Sequence, residues 1–115
     1  MSDGIIYEQR DIVLIPFPYS DLTGAKKRPA LIISNSQINK GEDRICCLIT
    51  SKNQHEGLVL SKKNLSGGDL PFQSWVKPQR LFTISAKIMN KKLGKVTKEY
   101  HDHIVALVNT FVAKE

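Results

Sequence analysis

The chain has 115 residues, 41% of them hydrophobic and 24% charged, with a formal net charge of +6. Thirty-four are Leu, Ile, Val or Phe, which excludes compositional disorder, and the length supports one small domain over residues 1–115. The longest apolar runs are six residues, far short of the ~20 of a membrane span, and Met1-Ser2-Asp3-Gly4 lacks the basic start of a signal peptide.

In chain order, residues 12–15 are a β-branched-rich run closed by Pro16-Phe17-Pro18, which predicts a buried strand entering a loop. Residues 19–27 form that loop, with turn chemistry at residues 21–24. Residues 30–33 are a second buried strand, with Pro29 as its first residue. Residues 34–43 are polar, a loop or short helix, and residues 44–50 a third strand. Within it the adjacent Cys46 and Cys47 point to opposite faces and cannot readily bridge each other. They are expected to be small apolar fillers in a chain of the reducing cytoplasm. A turn at 51–56 leads to a fourth strand at 57–60, and residues 64–71, with Gly67-Gly68, read as a mobile loop. Short strands follow at 74–78 and 81–84, a helical turn at 85–90 and a last strand at 93–96. From Thr97, a plausible N-cap, Ile104, Leu107, Val108, Phe111 and Val112 recur at helical spacing. The expected architecture is mainly β: a small curled barrel of short antiparallel strands with a C-terminal helix.

Charge is unevenly spread. Residues 1–57 carry seven basic and seven acidic residues, whereas residues 58–115 carry ten and four. Residues 77–98 hold seven Lys or Arg and no acid, a stretch suited to phosphates or an acidic protein partner. No metal site is expected: His101 and His103 are two apart on the helix, do not face one another, and should be solvent-exposed. No phosphate-cradling glycine motif and no G-x-S-x-G elbow is present.

Three elements carry possible chemistry. In Lys26-Lys27-Arg28-Pro29, rigid Pro29 fixes Arg28 at a strand mouth, and a fixed guanidinium fork suits phosphate oxygens; pairing with Asp21 is the plainer reading. Thr50-Ser51 places two hydroxyls at a strand end, where they either meet a phosphate or ribose or cap the backbone locally. Ser74-Trp75-Val76-Lys77-Pro78-Gln79-Arg80 mixes an aromatic, cations and an amide, a composition suited to single-stranded nucleic acid; Trp75 by itself reads as core or interface.

These residues resemble a known family. Asp11 to Pro18, then Gly24 to Lys27, then Arg28-Pro29-Ala30-Leu31-Ile32-Ile33-Ser34 looks like the N-terminal signature of the MazF/PemK (Kid) toxins. Leu48-Ile49-Thr50-Ser51 and Leu93-Gly94-Lys95-Val96 are similar to later landmarks in the same order. The resemblance covers residues 9–112. It implies an SH3-like barrel with a C-terminal helix, of the CcdB/PemK type, and a cytoplasmic homodimer belonging to a type II toxin–antitoxin system. It implies a metal-independent, cofactor-free endoribonuclease that cuts single-stranded RNA (mRNA) at short words and leaves a 2′,3′-cyclic phosphate. A cognate antitoxin with an acidic disordered segment would cover the site.

Carried onto this sequence, the resemblance makes Arg28 and Thr50 catalytic. Ser51, Lys26, Lys27, Lys77, Gln79 and Arg80 are then the expected RNA contacts. No general base is assigned, and His55 is a candidate only by nearness to Thr50. Three positions depart from the family. Arg10 stands where a glycine is usual, and Ala25-Lys26-Lys27 replaces a Glu-Gln stretch. Lys77 and Gln79 stand where some members have Arg and a catalytic Asp, so a mechanism built on that Asp does not carry over. Two other readings of the same barrel are a toxin that binds a protein such as DNA gyrase, and a non-catalytic RNA-binding domain.

Overall fold

Alternating burial sets the sheet. A computed structural model describes residues 5–17, 26–52, 57–70 and 72–115. The strands are β1 (Asp11–Phe17), β2 (Lys26–Ile32), β3 (Asp43–Thr50), β4 (Leu58–Leu60), β5 (Leu65–Gly68), β6 (Ser74–Ser85) and β7 (Lys91–Val96). The α-helices are α1 (Ser36–Asn39) and α2 (Lys98–Val112), and single 3-10 turns span Lys62–Asn64 and Ala86–Ile88, the latter within the helical turn expected at 85–90. All seven strands join one antiparallel sheet in the order β4-β6-β3-β2-β1-β7-β5. This is the expected mainly-β fold, a curled sheet with a C-terminal helix.

Successive residues of β1, β2 and β3 feed two cores on opposite faces. Ile12, Leu31 and Cys47 pack with Val96, Tyr100 and Ile104, beneath α2. Val13, Ala30, Ile32 and Cys46 pack with Tyr7, Ile15 and Met89. The two cysteines are free and fully buried, one in each core. Burial pushes both thiols from 9.0 up to about 12, and also raises the Tyr100 phenol. A thiol raised on folding favours the protonated native state, so its stabilising effect is complete below pH 9.0 and is lost as pH rises towards about 12. Melting temperature should therefore fall across that window, and Cys46→Ala should make the fall shallower; an equally steep fall in the variant would contradict this.

Thr97 caps α2 as the sequence suggests, its hydroxyl accepting from Tyr100 N at 3.1 Å. His101 differs from expectation. It is buried, with Nε2 3.3 Å from the Ile33 carbonyl, because its helix face packs on the β2–α1 connection; His103 is exposed. No helix of the described residues is long and apolar enough to cross a membrane.

Several boundaries depart from the sequence reading. Lys26 and Lys27 belong to β2 rather than to a loop, because the ladder with Phe17 and Pro16 extends past Pro29. Pro29 therefore sits mid-strand, opposite Leu14. Residues 74–78 and 81–84 are one strand, β6. Its register steps from Leu48↔Lys77 to Cys47↔Leu81, so residues 78–80 form a bulge that tolerates the missing N–H of buried Pro78. β7 starts at Lys91, two residues before the expected strand.

Residues 65–68 form β5 rather than a mobile loop, because glycine allows close approach to β7. Gly68 has φ +77°, and a Cβ there would lie 2.3 Å from the Leu93 carbonyl oxygen and 2.4 Å from Gly94 Cα. The turn expected at residues 21–24, Asp21 as a partner for Arg28, and His55 lie outside the described residues.

Arg10 explains its own departure from the family pattern. It has φ +79°, the region that favours glycine. Its Nη1 donates to the Val96 carbonyl at 2.9 Å, and its own backbone bonds Ile32 and Val96. Next to it, Asp11 is fully buried and accepts from Lys95 Nζ at 2.9 Å, Glu8 N at 2.7 Å and Lys92 Nζ at 3.1 Å. Part of the basic run at 77–98 is thus neutralised from the first half of the chain, Lys92 and Lys95 by Asp11 and Lys87 by Glu42.

Candidate active site

The register of β2 on β3 decides what faces what. Ala30, Leu31 and Ile32 pair with Leu48, Cys47 and Cys46. Extended by two residues, that register brings Arg28 level with Thr50. Regular pairing stops at Ala30 because Pro29 has no N–H to donate. At this place a cleft of about 440 Å³ opens, lined by Lys27, Arg28 and Pro29 of β2 and by Ile49, Thr50 and Ser51 at the end of β3. Leu14, Leu70, Phe72, Ser74, Lys91 and Leu93 complete it.

Three cations line the cleft, and no carboxylate does among the described residues. Arg28 Nε is buried and has no hydrogen-bond partner among the described residues. A buried donor without a partner costs about 1–3 kcal/mol, so a missing acceptor is implied. The Thr50 hydroxyl accepts from Lys52 N at 3.2 Å, the local capping expected of it, and keeps its own proton to donate. The arrangement suits an oxyanion between Arg28 and Thr50. Among the described residues, no group of three or more His, Cys, Asp or Glu side chains could hold a metal ion.

Of the residues singled out in the sequence, Arg28, Thr50, Ser51 and Lys27 meet in this cleft. Lys77, Gln79 and Arg80 do not line it; Gln79 and Arg80 are exposed on the β6 bulge, and Lys77 is half-buried opposite Leu48. Lys26 is placed by its backbone alone, at the start of β2. Sequence reasoning missed Lys91, Leu70 and Phe72 as lining residues. The apolar Leu70 and Phe72, set between polar neighbours, were the available signal. A larger cavity, about 530 Å³, lies at the other end of β1 against Arg10, Lys95 and Lys98, and holds none of the expected catalytic residues.

Comparison with known proteins matches residues 8–112 to the model of the PemK-like, MazF-like toxins of type II toxin–antitoxin systems. The chain belongs to the PemK/MazF-like toxin family. Solved structures share the fold of this PemK/MazF-like chain. A MazE–MazF crystal structure from Deinococcus radiodurans has a TM-score of 0.79 at 14% identity, covering 97% of this chain and 100% of that one. An endoribonuclease in complex with its cognate antitoxin, from a mycobacterial species, has a TM-score of 0.72 at 18% identity, covering 96% of each. The Mycobacterium tuberculosis toxin MazF-mt6 has 0.66 at 16% identity, covering 88% and 94%. A search of curated protein sequences finds no match.

Proposed function

We propose that this PemK/MazF-like chain is a metal-independent endoribonuclease that cuts single-stranded RNA at a short sequence. The observation that carries this reading is the buried, unpartnered Arg28 Nε in a cation-lined cleft whose β2–β3 register puts Thr50 level with Arg28. The ribose 2′-hydroxyl attacks the adjacent phosphorus. The P–O2′ bond forms as the P–O5′ bond breaks, the 2′-hydroxyl proton is lost to solvent and the departing O5′ takes one up from solvent, giving a 2′,3′-cyclic phosphate and a 5′-hydroxyl end. Charge grows on the non-bridging oxygens, where the Arg28 fork and the Thr50 hydroxyl donate. Arg28 acts as an electrostatic clamp. Ser51 contacts the same phosphate, and Lys27 and Lys91 neutralise the flanking ones.

The test is incubation of the purified protein with a long single-stranded RNA in EDTA, with the ends mapped by sequencing. Discrete cuts bearing cyclic-phosphate ends are expected. Intact RNA at high enzyme concentration would overturn the reading. The toxin acts in the cytoplasm as a homodimer, with exposed Phe111 and Val112 of α2 contributing apolar surface to the two-fold contact. Light scattering at micromolar concentration should give twice the chain mass, and a monomer would refute the dimer. An acidic antitoxin segment covers Lys27 and Arg28, so its affinity should fall as salt rises; a salt-independent affinity would contradict this.

A further inference from the structure

The cleft has an apolar wall opposite its cations, and that wall continues outward. Leu70 and Phe72 line the 440 Å³ cleft and also a neighbouring cavity of about 230 Å³. They form a ridge between the two. Phe72 is 72% exposed, the most exposed large apolar side chain among the described residues. The ridge follows β5, where Gly68 packs against Leu93 and Gly94 and Asp69 N donates to the Leu93 carbonyl at 3.3 Å. Leu93 itself lines the cleft.

Beyond the ridge the lining changes character. The smaller cavity adds the polar Ser61, Lys62, Asp69 and Gln73 beside the apolar Leu60 and Leu65. Asp69 Oδ1 already accepts from Leu70 N at 2.9 Å, which fixes the carboxylate and leaves Oδ2 as an acceptor. Gln73 brings an amide donor and acceptor on one group, the chemistry that reads a base edge. Lys62 brings a cation on the rim. An aromatic face, edge-reading polar groups and a cation beside a phosphate site are complementary to one nucleotide.

We propose that the cavity beyond the Leu70–Phe72 ridge is a nucleobase pocket, in which the base next to the scissile phosphate stacks on Phe72 and is read at its edge by Gln73 and Asp69. This rests on reading the cleft as an RNA site. The Asp69 carboxylate accepts from an exocyclic amine and repels a carbonyl oxygen. The pocket therefore favours adenine or cytosine over uracil.

Short fluorescein-labelled 2′-O-methyl oligonucleotides of adenosine, cytidine and uridine lack the attacking hydroxyl, so binding is read by anisotropy without cleavage. The wild type should bind the adenosine and cytidine oligomers more tightly than the uridine one. Phe72→Ala should weaken binding of the favoured oligomers about tenfold, and Phe72→Trp should restore it. Gln73→Ala should narrow the preference against uridine.

Unchanged affinity in Phe72→Ala, or equal binding of an abasic oligomer, would overturn the pocket. So would a loss of dimer in Phe72→Ala with RNA affinity retained, since a second copy would then be what covers the ridge. The two readings fail separately. Phe72-dependent, base-selective binding by a protein that never cuts RNA keeps the pocket and sinks the nuclease. Cleavage by the wild type with Phe72→Ala affinity unchanged does the reverse.

Discussion

Arg28→Ala is expected to slow RNA cleavage by about 10²–10³-fold, the cost of losing a preorganised donor to a developing oxyanion. The same substitution should leave the melting temperature unchanged or slightly higher, because Arg28 Nε is buried without a partner among the described residues. A purely structural arginine would behave in the opposite way, losing stability with activity following it. Arg28→Lys should recover little, since a single ammonium cannot reproduce the planar fork. Rates in EDTA and thermal melts on the same samples check both halves. Unchanged cleavage by Arg28→Ala would remove the arginine from the mechanism.

Asp11→Ala should cost about 3 kcal/mol of stability, the lower end for breaking a buried pair, because Lys92 and Lys95 are partly exposed and can swing towards water. For a small domain that moves the urea midpoint by roughly 2 M. The effect should reach the cleft as well. Asp11 pairs with Lys95 in the ladder that also sets Leu14 opposite Lys91, and both Leu14 and Lys91 line the cleft. Activity at temperatures well below melting should therefore fall in Asp11→Ala, and Lys92→Ala, which keeps the Lys95 contact, should lose much less. A urea midpoint equal to wild type would show that the buried carboxylate is not an anchor.

The sheet was legible because its signals are local. β-branched runs at residues 12–15 and 44–50 and the helical recurrence after Thr97 each specify their own element. What was hidden depends on non-local contact. Gly67 and Gly68 read as a loop, since nothing near them in sequence tells of the Leu93 and Gly94 backbone they pack against. Pro78 read as a break between strands, since a bulge is visible only from its partner β3. The site was half legible. Arg28 and Thr50 stand out by position, and the antiparallel register makes them level. Phe72 comes from the β5–β6 connection and Lys91 from the start of β7, so no spacing ties them to Arg28. The acid-free run at 77–98 also looked more available than it is, because the carboxylates that neutralise it lie far upstream.

Both outer strands of the sheet are short: β4 has three residues and β5 four, the last two glycines. An unfinished sheet edge is a template on which another chain can add a strand, and such growth ends in aggregates. Brevity and the left-handed turn at Gly68 deny that template a length worth copying. Residues Lys62 and Lys63, just before β5, add like charge where two edges would meet. Changes that lengthened β4, or that replaced Gly67 and Gly68 by β-branched residues, would therefore be expected to turn a discrete protein into one that self-assembles.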